Sequence, residues 1–314
     1  MSIVENLKFT MRVCEMFYNE NLTQKEIAAS LNISRPQVCR ILAHARESGL
    51  VSVHLNYPDT EESFFEHKIR ELYGLTEVYV YDIGSDGLPN SLELLAQKSV
   101  GLFDACIRDN SRVGVMAGRS ILEFAKALPR CKNRGLEFVP LSGGNAASGC
   151  EWFANSNAQL FASKTGGKHY VLNAPAYLSS VEVKNILENE ESIREVTEKW
   201  GTCQTAIIGI GTVNVSSSAG RAGDLSEKDI DLLISDGASV SICCSYLNKS
   251  GKEIHNAVTE KFIGASISQL KNTSSIAIAI GAEKVPAICS ALMGDCIDVL
   301  ITSLETARLI VNEN

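Results

Sequence analysis

The chain predicts an α/β fold in two parts, an N-terminal winged helix-turn-helix and a larger, doubly wound, mostly parallel Rossmann-like domain. Three observations carry that prediction. Leu22 to Gly49 reads as two short helices around a tight turn, and LVSVHL (50–55) alternates apolar and polar residues like a strand. From Glu77 onward, apolar strands alternate with helices, which argues for a parallel sheet covered on both faces.

A first helix is expected from about Val4 to Tyr18, with Leu7, Met11, Cys14 and Phe17 or Tyr18 facing the helical pair. In that pair, Thr23 and Glu26 form a capping box, and Ile27, Ala28 and Leu31 supply a buried stripe. Asn32-Ile33 makes the turn, with Ile33 plugging the space between the helices. Ser34 and Gln37 form a second capping box, and Pro36 falls in the first turn, where a missing N–H costs little. Val38, Ile41, Leu42 and Ala45 recur at helical spacing and face inward, which leaves Arg35, Gln37, Arg40 and His44 outward. Gly49 ends the helix. Such a pair is either an ordinary helical hairpin or a DNA reader. Arg can pair with guanine edges, Gln with adenine, and a helix N-terminus faces phosphate. The strand-like LVSVHL favours the DNA reading, with Thr23, Ser34, Arg35, Gln37, Arg40 and His44 as contact candidates.

Asn56-Tyr57-Pro58-Asp59 breaks the pattern, because proline restricts itself and its predecessor. The expected organisation is therefore a DNA-binding domain over 1–56, a connecting helix within 57–76, and a second domain over 77–314. Glu61 to Tyr73 is the amphipathic part of the connection. Strands are expected at VYVYDI (78–83), 112–116, 136–141, 205–208, 275–280 and 297–302. Helices are expected at 91–108, 120–128, 285–293 and 304–311. Ligands bind at the carboxyl ends of strands in such sheets, and the glycines collect there.

Composition narrows the classes. At 314 residues, 45% hydrophobic and 21% charged, the chain is ordinary for a globular protein. It has no apolar run near the roughly 18 residues of a membrane span, and its first residues lack the apolar stretch of a signal peptide, so a cytoplasmic protein is expected. The ten cysteines form no CxxC pair and fit buried free thiols rather than disulfides or a metal site. Net charge is −8, unevenly spread. Residues 1–56 carry six Lys/Arg against five Asp/Glu, and the remainder 23 against 32. Weak steering by one copy implies several copies acting together on DNA.

Each glycine-bearing loop has two readings, a turn that needs Gly for its backbone or a cradle of N–H groups for an anion. No Walker pattern occurs, and no G-x-G-x-x-G follows the first strand. Ser142, Gly143, Gly144 and Asn145 are one candidate cradle. Arg119, Arg221 and Lys284 lie in or beside such loops, as anion partners or as surface residues. Asp224 either accepts from sugar hydroxyls or caps a helix. Asn155 and Gln159 offer further hydroxyl contacts or plain surface polarity.

The ordered set LTQKEIAASLNISRPQVCRIL, GVMAGRSI (114–121), PLSGG (140–144), LNAPA (172–176), AIIGIGT (206–212), AGRAGD (219–224), FIGASISQL (262–270), GAEKVPAICSAL (281–292) and DVLIT (298–302) resembles the SorC-type bacterial transcription regulators. The resemblance spans nearly the whole chain. It implies a sugar-binding domain similar to glucosamine-6-phosphate deaminase and ribose-5-phosphate isomerase folds, working in a tetramer that holds operator DNA. It also places Gly118, Arg119, Ser142 to Asn145, Gly211, Thr212, the loop containing Arg221 and Asp224, and Lys284 around a sugar phosphate or polyol. This sequence departs from the family pattern with GRAGD for GAVGD, Gly281-Ala282 for a paired glycine, and Ser303-Leu304 for the acidic pair of LITDE.

A ligand-gated regulator of carbohydrate catabolism, without cofactor or metal and not an enzyme, is the leading expectation. An isomerase or deaminase on the same fold is the alternative, but of the five histidines His44 and His54 belong to the N-terminal part, His67 lies in the connecting segment, and His169 and His255 have no evident partner. A constitutive DNA-binding protein with a decayed pocket is the third.

Overall fold

The structure is a computed structural model and describes residues 7–52, 60–84, 88–130, 134–144, 151–214 and 225–313. The chain divides into two compact units, Met1–Pro58 and Asp59–Asn314.

The first unit is built of α1 (Leu7–Tyr18), α2 (Gln24–Ser30) and α3 (Arg35–Glu47). Both capping boxes form. Thr23 N–H donates to Glu26 Oε2 at 2.8 Å, and Ser34 N–H to Gln37 Oε1 at 2.8 Å. Asn32 takes the left-handed turn conformation (φ 51°) between the helices, and Ile33 packs partly buried against the core. That core holds Val13, Cys14, Met16, Ile27, Ala28, Val38, Ile41, Leu42 and Ala45. One expectation is corrected in α1. Leu7 and Met11 are 57% and 41% exposed, and the inward stripe is Thr10, Val13, Cys14 and Met16. The helix is rotated so that a small polar Thr10 takes a buried place that hydrophobicity alone assigns to Met11. The expected strand at 50–55 does not form at Leu50–Ser52, where Val51 instead packs on the helical core and donates its N–H to Ala45 O, while 53–55 lie outside the described residues.

The second unit begins with α4 (Glu61–Tyr73), which packs on the sheet. Then follow β1 (Glu77–Tyr81), α5 (Leu88–Ser99), α6 (Leu102–Cys106), β2 (Arg112–Val115), α7 (Arg119–Ala127) and β3 (Glu137–Pro140). Next come α8 (Ala154–Thr165), β4 (Lys168–His169), α9 (Val181–Glu188), α10 (Glu191–Thr197), β5 (Thr205–Gly209) and β6 (Gly211–Thr212). The chain closes with α11 (Glu227–Ser235), β7 (Ala238–Ile242), β8 (Ser245–Asn248), α12 (Ile267–Lys271), β9 (Ser274–Ile278), α13 (Val285–Met293), β10 (Val299–Ser303) and α14 (Leu304–Asn312). Among the described residues the main sheet runs β1-β10-β9-β5-β2-β3-β4, parallel throughout.

Successive strand residues point to opposite faces, and the two faces meet different helices. Ile207, Ile276, Ile278 and Ile301 join Leu95, Phe103, Ile121, Phe124 and Phe161 on one side, under α5 to α8. Ala206, Ile208, Ala277, Ala279 and Leu300 join Ile69, Ile288, Ala307 and Ile310 on the other, under α4, α13 and α14. The sheet is doubly wound. Its order reverses between β2 and β5. From β2 the chain moves outward through β3 and β4, then returns to β5 on the other side.

A second, antiparallel sheet, β6-β7-β8, was not legible in the sequence. Its hairpin turns at Cys243-Cys244, with Cys243 at φ 53° and no glycine or asparagine to announce the turn. The thiols are also more varied than expected. Cys14, Cys203, Cys289 and Cys296 are buried, Cys106, Cys243 and Cys244 partly so, and Cys39 is exposed, all of them thiols rather than disulfides. Cys131 and Cys150 lie outside the described residues. Burial, followed by the neighbouring Cys244 and Cys296, pushes the Cys243 thiol well above the usual range.

Candidate functional site

Two surfaces gather the candidate residues, one on each unit. On α3, Arg35, Arg40 and His44 are exposed, while Val38, Ile41, Leu42 and Ala45 face the core. The caps constrain the rest. Thr23 and Ser34 spend their hydroxyls on Glu26 and Gln37, at 2.7 and 2.9 Å. Gln37 Oε1 accepts from both the Ser34 N–H and its hydroxyl. Pairing with adenine needs both ends of the amide, so the expected Gln–adenine contact is unavailable while the cap holds.

In the second unit the parallel strands β2, β3, β5 and β9 all end at one edge of the sheet, and the strand order reverses at the crevice between β2 and β5. Gly118 caps α7 with φ 147° and no side-chain cap, and donates its N–H to Trp152 O at 2.8 Å. Arg119 is exposed and stacks over the Trp152 ring at 5.6 Å. Across the crevice, a Cβ on Gly209 would meet Ser120 Oγ at 3.4 Å. Gly209 and Cys243 both direct N–H groups at the Met116 sulfur, at 3.3 and 3.4 Å. Thr212 Oγ1 accepts from Asn214, and a Cβ on Gly211 would require the Ser241 hydroxyl to turn away. At the end of β9, Gly281 (φ 118°) donates to Thr306 Oγ1 at 3.0 Å, and Lys284 sits half-buried at the start of α13. Ser303, in the place of the family's acidic residue, caps α14 through Thr306.

The Ser142-Gly143-Gly144 segment is different in kind. Ser142 is buried and bridges to Gly264. Gly143 N–H donates to Ile263 O at 3.0 Å, and Gly144 N–H to Ala174 O at 2.9 Å. These two donors are spent inside the fold and do not cradle an anion. A Cβ on Gly143 would stand 2.5 Å from Pro175 O and 2.6 Å from Ala174 O. Gly143→Ala should therefore destabilise the second unit by about 1–3 kcal/mol through overpacking against backbone. Urea unfolding measures this, and an unchanged midpoint would refute the close approach. Asn145, Arg221 and Asp224 lie outside the described residues.

Asn155 uses both ends of its amide on the Leu172 backbone, at 3.0 and 2.9 Å, which is a structural role. Asn157 is the residue that sequence reading missed. Fully buried, it reaches Met116 O, Gly118 O and Trp152 O with Nδ2 (3.1, 3.3 and 3.4 Å) and holds the β2–α7 loop. Its Oδ1 has no partner among the described residues. The signal was present, since Asn157 interrupts the otherwise small and apolar stripe Ala154, Ala158, Phe161, Ala162. Elsewhere in this unit, Tyr177 donates to Asp229 Oδ1 at 3.0 Å, and Lys261 approaches that carboxylate at 3.8 Å. Burial works to raise the Asp229 pKa, but the hydrogen bonds from Ser226 and Tyr177, with the Lys261 charge, hold it below the ordinary value.

Comparison with known proteins agrees with this division. Residues 58–312 match the model of the sugar-binding domain family, and residues 10–48 that of sigma-70 region 4. The chain is 25% identical over 98% of its length to the sorbitol operon regulator of Klebsiella pneumoniae, covering 98% of that protein. It is 27% identical to the deoxyribonucleoside regulator of Bacillus subtilis, covering 98% of this chain and 99% of that one. The crystal structure of full-length SorC from Klebsiella pneumoniae superposes with a TM-score of 0.74 at 25% identity, over 98% of this chain and 99% of that one. With a helix-turn-helix in one unit and a sugar-binding α/β sheet in the other, this chain belongs to the SorC-type family of sugar-binding transcriptional regulators.

Proposed function

We propose that residues 1–56 hold operator DNA through α3, and that a sugar phosphate or polyol bound at the carboxyl edge of the main sheet changes how firmly they do so. What supports this is the topology: Gly118 and Arg119 follow β2, Gly211 and Thr212 follow β5, and Lys284 follows β9, so all stand beyond the carboxyl ends of parallel strands, where such sheets bind ligands. The Gly143 and Gly144 donors are spent, so an anionic group falls to the N-terminus of α7 with Arg119, and to Lys284. Asn145, Arg221 and Asp224, outside the described residues, are assigned to the ligand by the family resemblance alone. The hydroxyl donors and acceptors of the proposed pocket suit a polyhydroxylated carbon chain.

The reading includes a homo-oligomer in the cytoplasm. The modest charge of residues 1–56 makes a single copy a weak DNA ligand, and linked copies add their phosphate contacts. Residues 77–314 would then carry both the pocket and the oligomer contacts. Among the described residues, no helix is long and apolar enough to cross a membrane. The ligand shifts DNA binding only by its differential affinity for the two arrangements of the oligomer. Bound sugars are expected to leave unchanged, as the relatives are named as regulators.

Thermal unfolding of the full chain against sugars, polyols and their phosphates tests this. A ligand at 100 times its Kd adds about 2.7 kcal/mol if it binds only the folded state. One clear phosphorylated hit supports the whole reading, and hits confined to neutral polyols would remove Arg119 and Lys284 from anion binding. Silence across the panel, or measurable turnover of a hit, would overturn it.

A further inference from the structure

We propose that the Met116 sulfur competes with the ligand for two backbone donors: a phosphoryl oxygen displaces it and accepts from the Gly209 and Cys243 N–H groups. This rests on the crevice between β2 and β5 being the ligand site, and goes further by naming the atoms that meet the anion. The two strands part at Met116. Its N–H donates to Ile207 O at 3.0 Å, continuing the β2–β5 ladder. In a parallel ladder alternate residues face the same neighbour, so Gly209, two residues on, directs its N–H towards β2. There the Met116 carbonyl turns to Asn157 Nδ2 at 3.1 Å, and the Gly209 N–H meets the Met116 sulfur at 3.3 Å. Cys243, from the turn between β7 and β8, brings a second N–H to the same sulfur at 3.4 Å. A Cβ on Gly209 would meet Ser120 Oγ at 3.4 Å, so Gly209 stands against the first turn of α7, which also carries Arg119.

Two amide donors aimed at one point suit an acceptor with several lone pairs and a negative charge. A thioether sulfur is a weak acceptor. Met116 is half-buried, and its unbranched side chain with three rotatable bonds can swing away while the backbone stays. A phosphoryl oxygen accepts without bringing a proton of its own, whereas a sugar hydroxyl at this point would need a further acceptor. The exchange therefore replaces two weak hydrogen bonds with two charge-assisted ones. Whatever the side chain at position 116 offers these donors is subtracted from the affinity for the phosphate ester.

The test compares the full-length native chain with Met116→Leu and Met116→Gln. Thermal unfolding is followed in inorganic phosphate, glucose 6-phosphate and ribose 5-phosphate, with chloride at matched ionic strength as the control. Met116→Leu removes the acceptor at nearly constant volume. Met116→Gln puts a stronger acceptor, an amide oxygen, within reach of the same donors. Without phosphate, Met116→Leu should melt below the native chain, and saturating phosphate ester should abolish the difference. Its affinity should be about fivefold tighter than native, the worth of one ordinary hydrogen bond. Met116→Gln should bind about fivefold more weakly on the same scale. Opposite shifts are the signature, since loss of a merely structural contact would weaken binding in both variants. If one variant does not fold, the sign of the other decides. Affinity of Met116→Leu at or below native, or of Met116→Gln at or above it, overturns the proposal, while binding of either ester leaves the crevice reading standing. Silence from all three phosphates in every chain also overturns it, and the wider panel of neutral sugars and polyols then decides the crevice reading by itself.

Discussion

Arg40→Ala is expected to weaken operator binding by about 1–3 kcal/mol for each α3 helix on the DNA, which is the worth of one bidentate guanine contact. Two copies on one operator compound the loss. Arg40 is exposed on the outward arc of α3, while its neighbours Ile41 and Leu42 are packed in the core. The substitution thus removes a reading group without opening a cavity. The thermal gain given by the effector should be unchanged, because it arises in the other unit. Titrating DNA at several salt concentrations separates two roles. Loss confined to the cognate sequence marks a base contact, whereas a uniform loss with a salt slope reduced by about one marks a phosphate contact. Unaltered affinity would take Arg40 off the reading face.

Phe161→Ala should cost the second unit about 3–5 kcal/mol. The ring is fully buried in α8 and meets Phe138 at 5.5 Å, Phe103 at 6.0 Å and Phe124 at 6.4 Å, two of the three nearly parallel. Its neighbours come from β3, α6 and α7, so no single element can move to fill the space, and the cavity term adds to the lost transfer energy. The same helix carries Asn157, so the lesion should also loosen the β2–α7 loop and lower effector affinity. Urea unfolding followed by tryptophan fluorescence measures the first effect, since both tryptophans, Trp152 and Trp200, lie in this unit. A change below about 1 kcal/mol would contradict a rigid aromatic cluster.

Much of the fold was legible because its signals are local. The capping boxes at Thr23/Glu26 and Ser34/Gln37 are closed by groups three residues apart, and the stripe Val38, Ile41, Leu42, Ala45 declares its inward face by spacing alone. Helix Val285–Met293 and the strands near 112 and 205 were read within a residue or two, since continuous apolar runs between glycines suit strands buried on both sides. What failed depended on partners far along the chain. The β7–β8 hairpin lacks a glycine turn and forms because β6 and the packing of Val240 and Ile242 on the core support it.

By itself the sequence determined the helix-turn-helix, the alternation of strands and helices, and the edge at which the glycine loops collect. All of these follow from periodicity and short-range hydrogen bonds. The tertiary structure decided which groups at that edge remain available. Gly143 and Gly144 look like an anion cradle in one dimension. Their N–H groups are taken by Ile263 and Ala174, from segments well over twenty residues away, and the glycines are needed for that backbone approach. Asn157, by contrast, is one polar residue in a helical stripe until Met116, Gly118 and Trp152 fold onto it. A buried donor or acceptor must find a partner, and which partner it finds is settled only when the chain is packed.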